Sequence, residues 1–566
     1  MERLCAVSSG WWLMLGHKLH KPASRPCFVV ASQGRHMQAF TNSTGKNLSF
    51  FSKLTVMRSF ALSAFLLFTT AYCCAQTKSH EKSMLVPQPA TIFDKYIQEA
   101  MPLWKVPGLS VAVVKDGKVV FKKGYGLTEL GKPSAFDTST LSICASTTKA
   151  MTAVCVAMLV DEGKLKWDDK VAEIIPGFKI NDVYTTSQIT VKDLLTHNAG
   201  LGNADWLWVV QNDDNDILQR MQYLTPSYSI RSSFIYQNLM YGVAGKVIEK
   251  ASGKKWQDFI TENLFHALGM NRTYATYIYS SKEINRISPH FMINDTVNVI
   301  PYIDYPGVSA AGAVWSCASD ISKWMMFMLD SAKWNGRRLL KPETFAELMK
   351  PQAIIPANEF YPTMQITKPH WITYGLGWFQ QDYRGKMVEF HTGSLDGAVA
   401  IIGLVPDEHF GIYIFENLDH AELRHALMFK AFDLWLFNDN SRDWSNDLFS
   451  LYGKLKADAK NKQKENDAKR VLDTKPSLAL EDYTGKYASD IYGEAEIKLQ
   501  EGSLFIKYPN NNVLKLAHWN YDIFKGGFNN SWWDKSNVQF FLNSEGRVSY
   551  FEMDGMRYNK KVEANK

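Results

Sequence analysis

Leu141-Ser-Ile-Cys-Ala-Ser146-Thr-Thr-Lys149-Ala-Met-Thr-Ala-Val-Cys-Val-Ala-Met-Leu159 is the stretch whose reading decides the fold. A serine opens a long apolar run, and a lysine follows one turn later. The run predicts a helix that ends near Gly163. Residues three apart share a helix face, so the Lys149 amine can reach the Ser146 hydroxyl. A serine hydroxyl is a weak nucleophile until a neighbouring base activates it. Backbone N–H groups at a helix start also favour developing negative charge. The arrangement suits acyl transfer. The competing explanation is a serine N-cap followed by a solvated lysine.

The same spacing recurs at Ser43/Lys46, Ser79/Lys82 and Ser252/Lys255, but none of these opens a long apolar helix. The last sits in Ala251-Ser-Gly-Lys-Lys255, a helix end with a glycine stop. Two further motifs follow Ser146 in order, Tyr236-Gln237-Asn238 and His391-Thr392-Gly393. On these three motifs the chain resembles the serine β-lactamase and penicillin-binding protein family. It is most similar to the branch with Tyr-x-Asn as second motif, which holds class C β-lactamases, D-alanyl-D-alanine carboxypeptidases, D-aminopeptidases and esterases. Leu194-Leu-Thr-His-Asn-Ala-Gly-Leu201, Ala310-Ala-Gly-Ala-Val-Trp-Ser-Cys-Ala-Ser-Asp320 and Tyr374-Gly-Leu-Gly-Trp378 match the family's phrasing. The resemblance spans about residues 90–435.

The resemblance implies a catalytic set and a binding set. Ser146 would attack an ester or amide carbonyl to make an acyl-enzyme, with Lys149 as base or proton relay. Tyr236 would pass a proton to the leaving group and activate the deacylating water; whether it or Lys149 is the general base stays open. Asn238 would offer its amide to the acyl side chain and to Lys149. The backbone N–H groups of Ser146 and Ser394 would form the oxyanion hole, and His391, Thr392 and Gly393 would line the pocket strand. His391 stands where β-lactamases usually carry lysine, so a weaker hold on a β-lactam carboxylate is expected. A histidine is only partly protonated at neutral pH. A β-lactamase and a non-catalytic penicillin-binding-like sensor are the rival readings to a peptidase or esterase.

Composition is that of an ordinary globular protein, 46% hydrophobic and 21% charged in 566 residues. Residues 1–75 hold eight Lys/Arg and one Glu, which leaves −1 of the net +6 for the remainder. Nothing basic is left to suggest a nucleic-acid partner. Residues 57–75 pair a basic start with an apolar stretch and a small-residue exit, the pattern of a signal peptide. Export to the periplasm or the extracellular space is expected, with membrane contact only through this signal or anchor segment. Residues 1–56 read as a non-native extension ahead of a start at Met57. Seven cysteines fall to three after cleavage at Ala75: Cys144, Cys155 and Cys317. That sparse set makes no disulfide framework and reads as small buried hydrophobes. No metal-ligand cluster and no cofactor is implied, and His197 reads as structural. The partner is a small-molecule or peptide substrate; the sequence leaves the oligomeric state open.

Along the chain, residues 91–104 have helical spacing, and Gly108–Phe121 reads as a hairpin turning at Asp116-Gly117. A mostly helical middle follows, with a loop rich in Trp, Asn and Asp around Asp205-Trp-Leu-Trp208. Strands return beyond residue 370, and helical residues 420–437 close the unit. The expected fold class is α+β: an antiparallel sheet flanked by helices plus an all-helical region, followed by a small all-β domain. The hydrolase domain is placed at 76–440, a charged helical linker at 441–475, and an antiparallel barrel at 476–566, similar to the lipocalin-like domain appended to some family members. Tyr508-Pro-Asn510 repeats Tyr-x-Asn but reads as a turn. Trp532 and Trp533 read as core or barrel-mouth aromatics.

Overall fold

The computed structural model describes residues 88–561. The expectations for residues 1–56 and 57–75 lie outside the described residues.

Asp116 and Gly117 both take positive φ, 51° and 70°, which is what a two-residue hairpin turn demands. They join strands Gly108–Lys115 and Lys118–Gly126. The first is buried along nearly its whole length, because it lies inside an eight-stranded antiparallel sheet. In spatial order the sheet runs Lys118–Gly126, Gly108–Lys115, Phe410–Glu416, Ala398–Val405, Lys386–Leu395, Phe379–Tyr383, Ile372–Tyr374 and Ala353–Ile354. Early and late segments of the domain thus meet as its second and third strands, with Leu109 opposite Glu416. Strand Ala398–Val405 is buried at every position, since both of its faces are covered.

Helices Pro89–Trp104 and Leu423–Leu436 cover one face, through Phe93, Ile97, Phe429 and Phe432. The segment that carries Ser146 and helix Ala318–Leu329 cover the other. The helical middle departs from expectation at short two-stranded pairings: His290–Ile293 with Thr296–Val299, Lys333–Trp334 with Arg337–Arg338, and Trp315–Ser316 with Ser142–Ile143. The helix after Ser146 itself begins later than the apolar run suggests. Ser146 lies in a 3₁₀ turn, Ala145–Thr147, and the α-helix runs Thr148–Asp161. All but two of its residues are buried, which explains a run with no polar face.

Helix Trp444–Asp467 carries the charged stretch away from the sheet. Its first turn is anchored rather than solvated: Trp444 is buried and its indole donates to Asp433 Oδ2 at 2.7 Å. Beyond it, eight consecutive antiparallel strands from Gly485–Ser489 to Met556–Lys560 close into a barrel. Alternate residues such as Ile497, Leu504, Ile506 and Leu514 fill its interior, as the period of two requires. One end of the barrel sits on the helical region. Trp206, in the short helix Trp206–Val210, packs edge-on against Tyr508 and donates to the Tyr558 hydroxyl at 3.2 Å. Trp532 and Trp533 both donate to Asp396 Oδ2, at 3.0 and 2.8 Å, in the turn that follows Ser394. They are barrel-mouth aromatics facing the hydrolase domain. Asn510, in the Tyr-x-Asn repeat at a strand turn, contacts the Val209 carbonyl and has no part in the site.

Candidate active site

Ala145, the residue before Ser146, holds φ at 46°, an uncommon conformation for a residue with a side chain. It turns the chain from the strand Ser142–Ile143 into the 3₁₀ turn that carries Ser146. Two glycines allow the sheet to close on this turn. A Cβ on Gly393 would lie 2.2 Å from the Cys144 carbonyl, and one on Gly377 would lie 2.8 Å from Ala150 Cα. Both motifs that carry these glycines are therefore fixed by close backbone approach.

Ser146 caps nothing: helix Thr148–Asp161 has no side-chain cap. The lysine is not solvated either. Lys149 is fully buried, and its Nζ reaches three acceptors: Ser146 Oγ at 3.2 Å, Asn238 Oδ1 at 2.8 Å and the Ala311 carbonyl at 2.9 Å. The rings of Tyr236 and Tyr241 flank it at 4.9 and 5.2 Å. Burial pulls its pKa from 10.5 down to about 7, against the opposing pull of Asp205.

Asn238 is the first residue of helix Asn238–Ser252, capped by the Gln237 side chain. The Gln237 backbone N–H donates to His197 Nδ1 at 3.0 Å, so His197 holds the second motif in place, as a structural residue would. Its ring also packs on Tyr236 at 4.2 Å. The Tyr236 hydroxyl is buried without a well-formed hydrogen bond among the described residues. Burial holds it well above 10, and the Ser146 hydroxyl nearby opposes this in part. At rest it is a neutral phenol.

The third motif lies on strand Lys386–Leu395, against the turn that carries Ser146. Expectation and structure part at His391. Its Nδ1–H donates to the Thr392 carbonyl at 2.6 Å, which leaves Nε2 to accept from the Tyr374 hydroxyl at 3.0 Å. Burial, reinforced by Lys149, pulls its pKa from 6.5 to about 3. It presents neither charge nor a free nitrogen, so it offers a substrate carboxylate no cation. The Thr392 hydroxyl bonds Tyr361. Behind the strand, Arg424 donates to the Gly393 carbonyl and to Ser394 Oγ at 3.0 Å. Sequence spacing gave no sign of this brace, and Tyr374 and Asp205, though they lie in stretches quoted above, carried no expected role. Among the described residues no group of three or more His, Cys, Asp or Glu side chains is suited to a metal. No described helix is long and apolar enough to cross a membrane.

The Ser146, Tyr236 and His391 motifs therefore converge from three distant parts of the chain, and known proteins share this architecture. The Beta-lactamase family profile matches residues 93–431, and that of a domain of unknown function, DUF3471, matches 469–565. The chain is 27% identical over 427 residues to the unguisins hydrolase ungD' of Aspergillus campestris, covering 72% of this chain and 78% of that one. It is 25% identical to protein flp of Staphylococcus aureus over 58% of this chain and 62% of flp. The octameric penicillin-binding protein homologue from Pyrococcus abyssi shares the fold, with TM-score 0.54, 20% identity and coverage of 83% of this chain and 99% of that one. SurE does so with TM-score 0.50, 18% identity and coverage of 84% and 99%. On the profile match over more than half its length, the chain belongs to the β-lactamase family, with an eight-stranded barrel appended.

Proposed function

We propose that this chain is an exported serine hydrolase that forms an acyl-enzyme on Ser146 and cleaves an uncharged amide or ester. The observation that carries the reading is the set of three acceptors around Lys149. A neutral amine has two N–H bonds and one lone pair. Asn238 Oδ1 and the Ala311 carbonyl engage the two N–H bonds, so the lone pair faces the Ser146 hydroxyl. Lys149 is then the base for acylation, and a pKa near 7 suits that task.

Ser146 Oγ attacks the carbonyl carbon as its proton passes to Lys149. The resulting oxyanion lies between the backbone N–H groups of Ser146 and Ser394. Tyr236 gives its proton to the leaving amine or alcohol as the C–N or C–O bond breaks, and regains one from Lys149. Water then attacks the acyl carbonyl, losing a proton to the same pair, and Ser146 leaves with a proton restored. No metal or organic cofactor enters these steps.

The neutral His391 supports substrates that need no carboxylate clamp, such as esters and internal amides of D-amino-acid peptides. Relatives named as unguisins hydrolases support a hydrolytic role. Residues 57–75 support export. The test is hydrolysis of a short-chain p-nitrophenyl ester by the full chain beside Ser146→Ala. Turnover lost in the variant is expected; turnover that survives removes Ser146 as nucleophile. Fast hydrolysis of a chromogenic cephalosporin would instead favour the β-lactamase reading.

A further inference from the structure

The proton path through Lys149 depends on which way one amide points. Asn238 carries a carbonyl oxygen and an NH₂ that a half-turn of the side chain would exchange. With NH₂ towards Lys149, donor would face donor, and the amine would lose one of the two acceptors that orient its lone pair. What lies on the far side of Asn238 decides the matter. Asn238 Nδ2 donates to both oxygens of Asp205, at 3.2 and 3.3 Å. Asp205 is buried and receives two more donors, Trp208 Nε1 at 2.8 Å and Asn203 Nδ2 at 3.1 Å. Burial raises its pKa, and the donors from Trp208, Asn203 and Asn238 together with the nearby Lys149 oppose this. Every side-chain contact to its oxygens is a donor, an arrangement that suits a carboxylate and offers no acceptor to a carboxylic acid proton. A carboxylate only accepts.

We propose that Asp205 is a positioning residue for the Ser146–Lys149 pair: it fixes the Asn238 amide so that Oδ1, and not Nδ2, faces the lysine. The inference rests on the serine hydrolase reading above. The loop that carries Asp205 is itself held, because the next residue, Trp206, is seated in the end of the barrel. The barrel therefore bears on the orientation of the catalytic lysine through one residue of chain. Lys149 is faced by Asp205 from this loop, by Tyr236, Asn238 and Tyr241 from the second motif and its helix, and by His197 and His391. Asp205 is the acid among these groups. Its charge raises the lysine's affinity for a proton, so loss of the charge lowers it.

The experiment measures the rate at which a fluorophosphonate labels Ser146, from pH 5 to 10, in the full chain. Absence of labelling in the wild type, or labelling that persists in Ser146→Ala, removes the nucleophile reading itself. Given Ser146-dependent labelling, Asp205→Asn is expected to slow it by about 10–100-fold, part of what a positioned base supplies. The acid limb of the profile is expected to move to lower pH. The exchanged pair Asp205→Asn with Asn238→Asp restores an acceptor opposite Lys149 and places the charge beside it. It is expected to recover most of the rate at high pH and to move the acid limb above that of the wild type. Opposite movements of the limb in the two proteins are not produced by a merely structural role. Asp205→Asn that labels at the wild-type rate overturns the inference, as does a slowed variant whose limb stays in place. If Asp205→Asn does not fold, the exchanged pair decides alone, and a folded pair with an unmoved limb overturns it. Failure of both to fold assigns Asp205 to structure and overturns it as well.

Discussion

Replacing Lys149 by methionine should remove activity and yet change stability in a pH-dependent way that reports the state of the amine. Lys149 binds its proton with a pKa of about 7 in the folded chain, against 10.5 for an ordinary lysine. The unfolded chain therefore holds more protons between these values, and wild-type stability rises with pH across that window. At about 1.4 kcal/mol per pH unit, the cost of burying the lysine is about 5 kcal/mol at pH 6 and about 2 kcal/mol at pH 9. Methionine carries no such cost. It does leave Asn238 Oδ1 and the Ala311 carbonyl without a donor, at about 1–3 kcal/mol each, but that penalty does not depend on pH. The difference between variant and wild type should therefore shift by about 3 kcal/mol in favour of Lys149→Met as pH falls from 9 to 6. At about 2 °C per kcal/mol for a large domain, this is about 6 °C in the relative Tm. Differential scanning calorimetry of both proteins at pH 6, 7, 8 and 9 reads it directly. A gap that stays constant within a degree would show an ordinary lysine pKa and would refute Lys149 as the resting base.

Further outcomes follow from the same contacts. Ester hydrolysis under kcat/KM conditions should rise through a midpoint near pH 7 as Lys149 loses its proton, and a midpoint above 9 in a pH–rate profile would contradict this. Gly393→Ala must push the third-motif strand off the Cys144 carbonyl, which a Cβ would approach to 2.2 Å, so kcat/KM should fall by about 10²-fold or more, as for a displaced oxyanion donor. Wild-type rates in that variant would show that the strand does not set the site. Trp206→Ala should cost about 3–5 kcal/mol, read as a lowered Tm, because it empties the joint between barrel and helical region.

Much of the site was legible because the family's chemistry is written in short motifs. Ser146 and Lys149 declare themselves by their spacing at the start of an apolar run, and Tyr236-Gln237-Asn238 by its place at the start of a helix. The barrel was legible in the alternation of residues such as Ile497, Leu504 and Ile506. The 3₁₀ start at Ser146 was not, since the strain is carried by Ala145, a residue with no sequence bias towards positive φ. Asp205 was hidden for another reason. Its partner Asn238 is 33 residues away, and an aspartate beside tryptophans in a loop carries no periodic signal. The state of His391 was unreadable in principle, because it is set by the Tyr374 hydroxyl and the Thr392 carbonyl and not by the motif.

That neutral histidine changes how the base is tuned. Two buried cations cannot share the wall around Ser146 cheaply, and a charged Lys149 already pushes His391 towards its neutral form. A lysine at the third motif would answer by keeping its own charge and driving Lys149 further down. Here the histidine yields instead, with both nitrogens engaged by uncharged partners. Lys149 is then left with burial, which lowers its affinity for a proton, and Asp205, which raises it. A pKa near neutrality is their balance, so the Lys149 amine exchanges its proton near pH 7. The same choice removes the cation that would bind a substrate carboxylate. A cation introduced at position 391 to bind a carboxylate would add like charge beside Lys149, so a gain in carboxylate binding there should come with a shift of the acid limb of activity to lower pH.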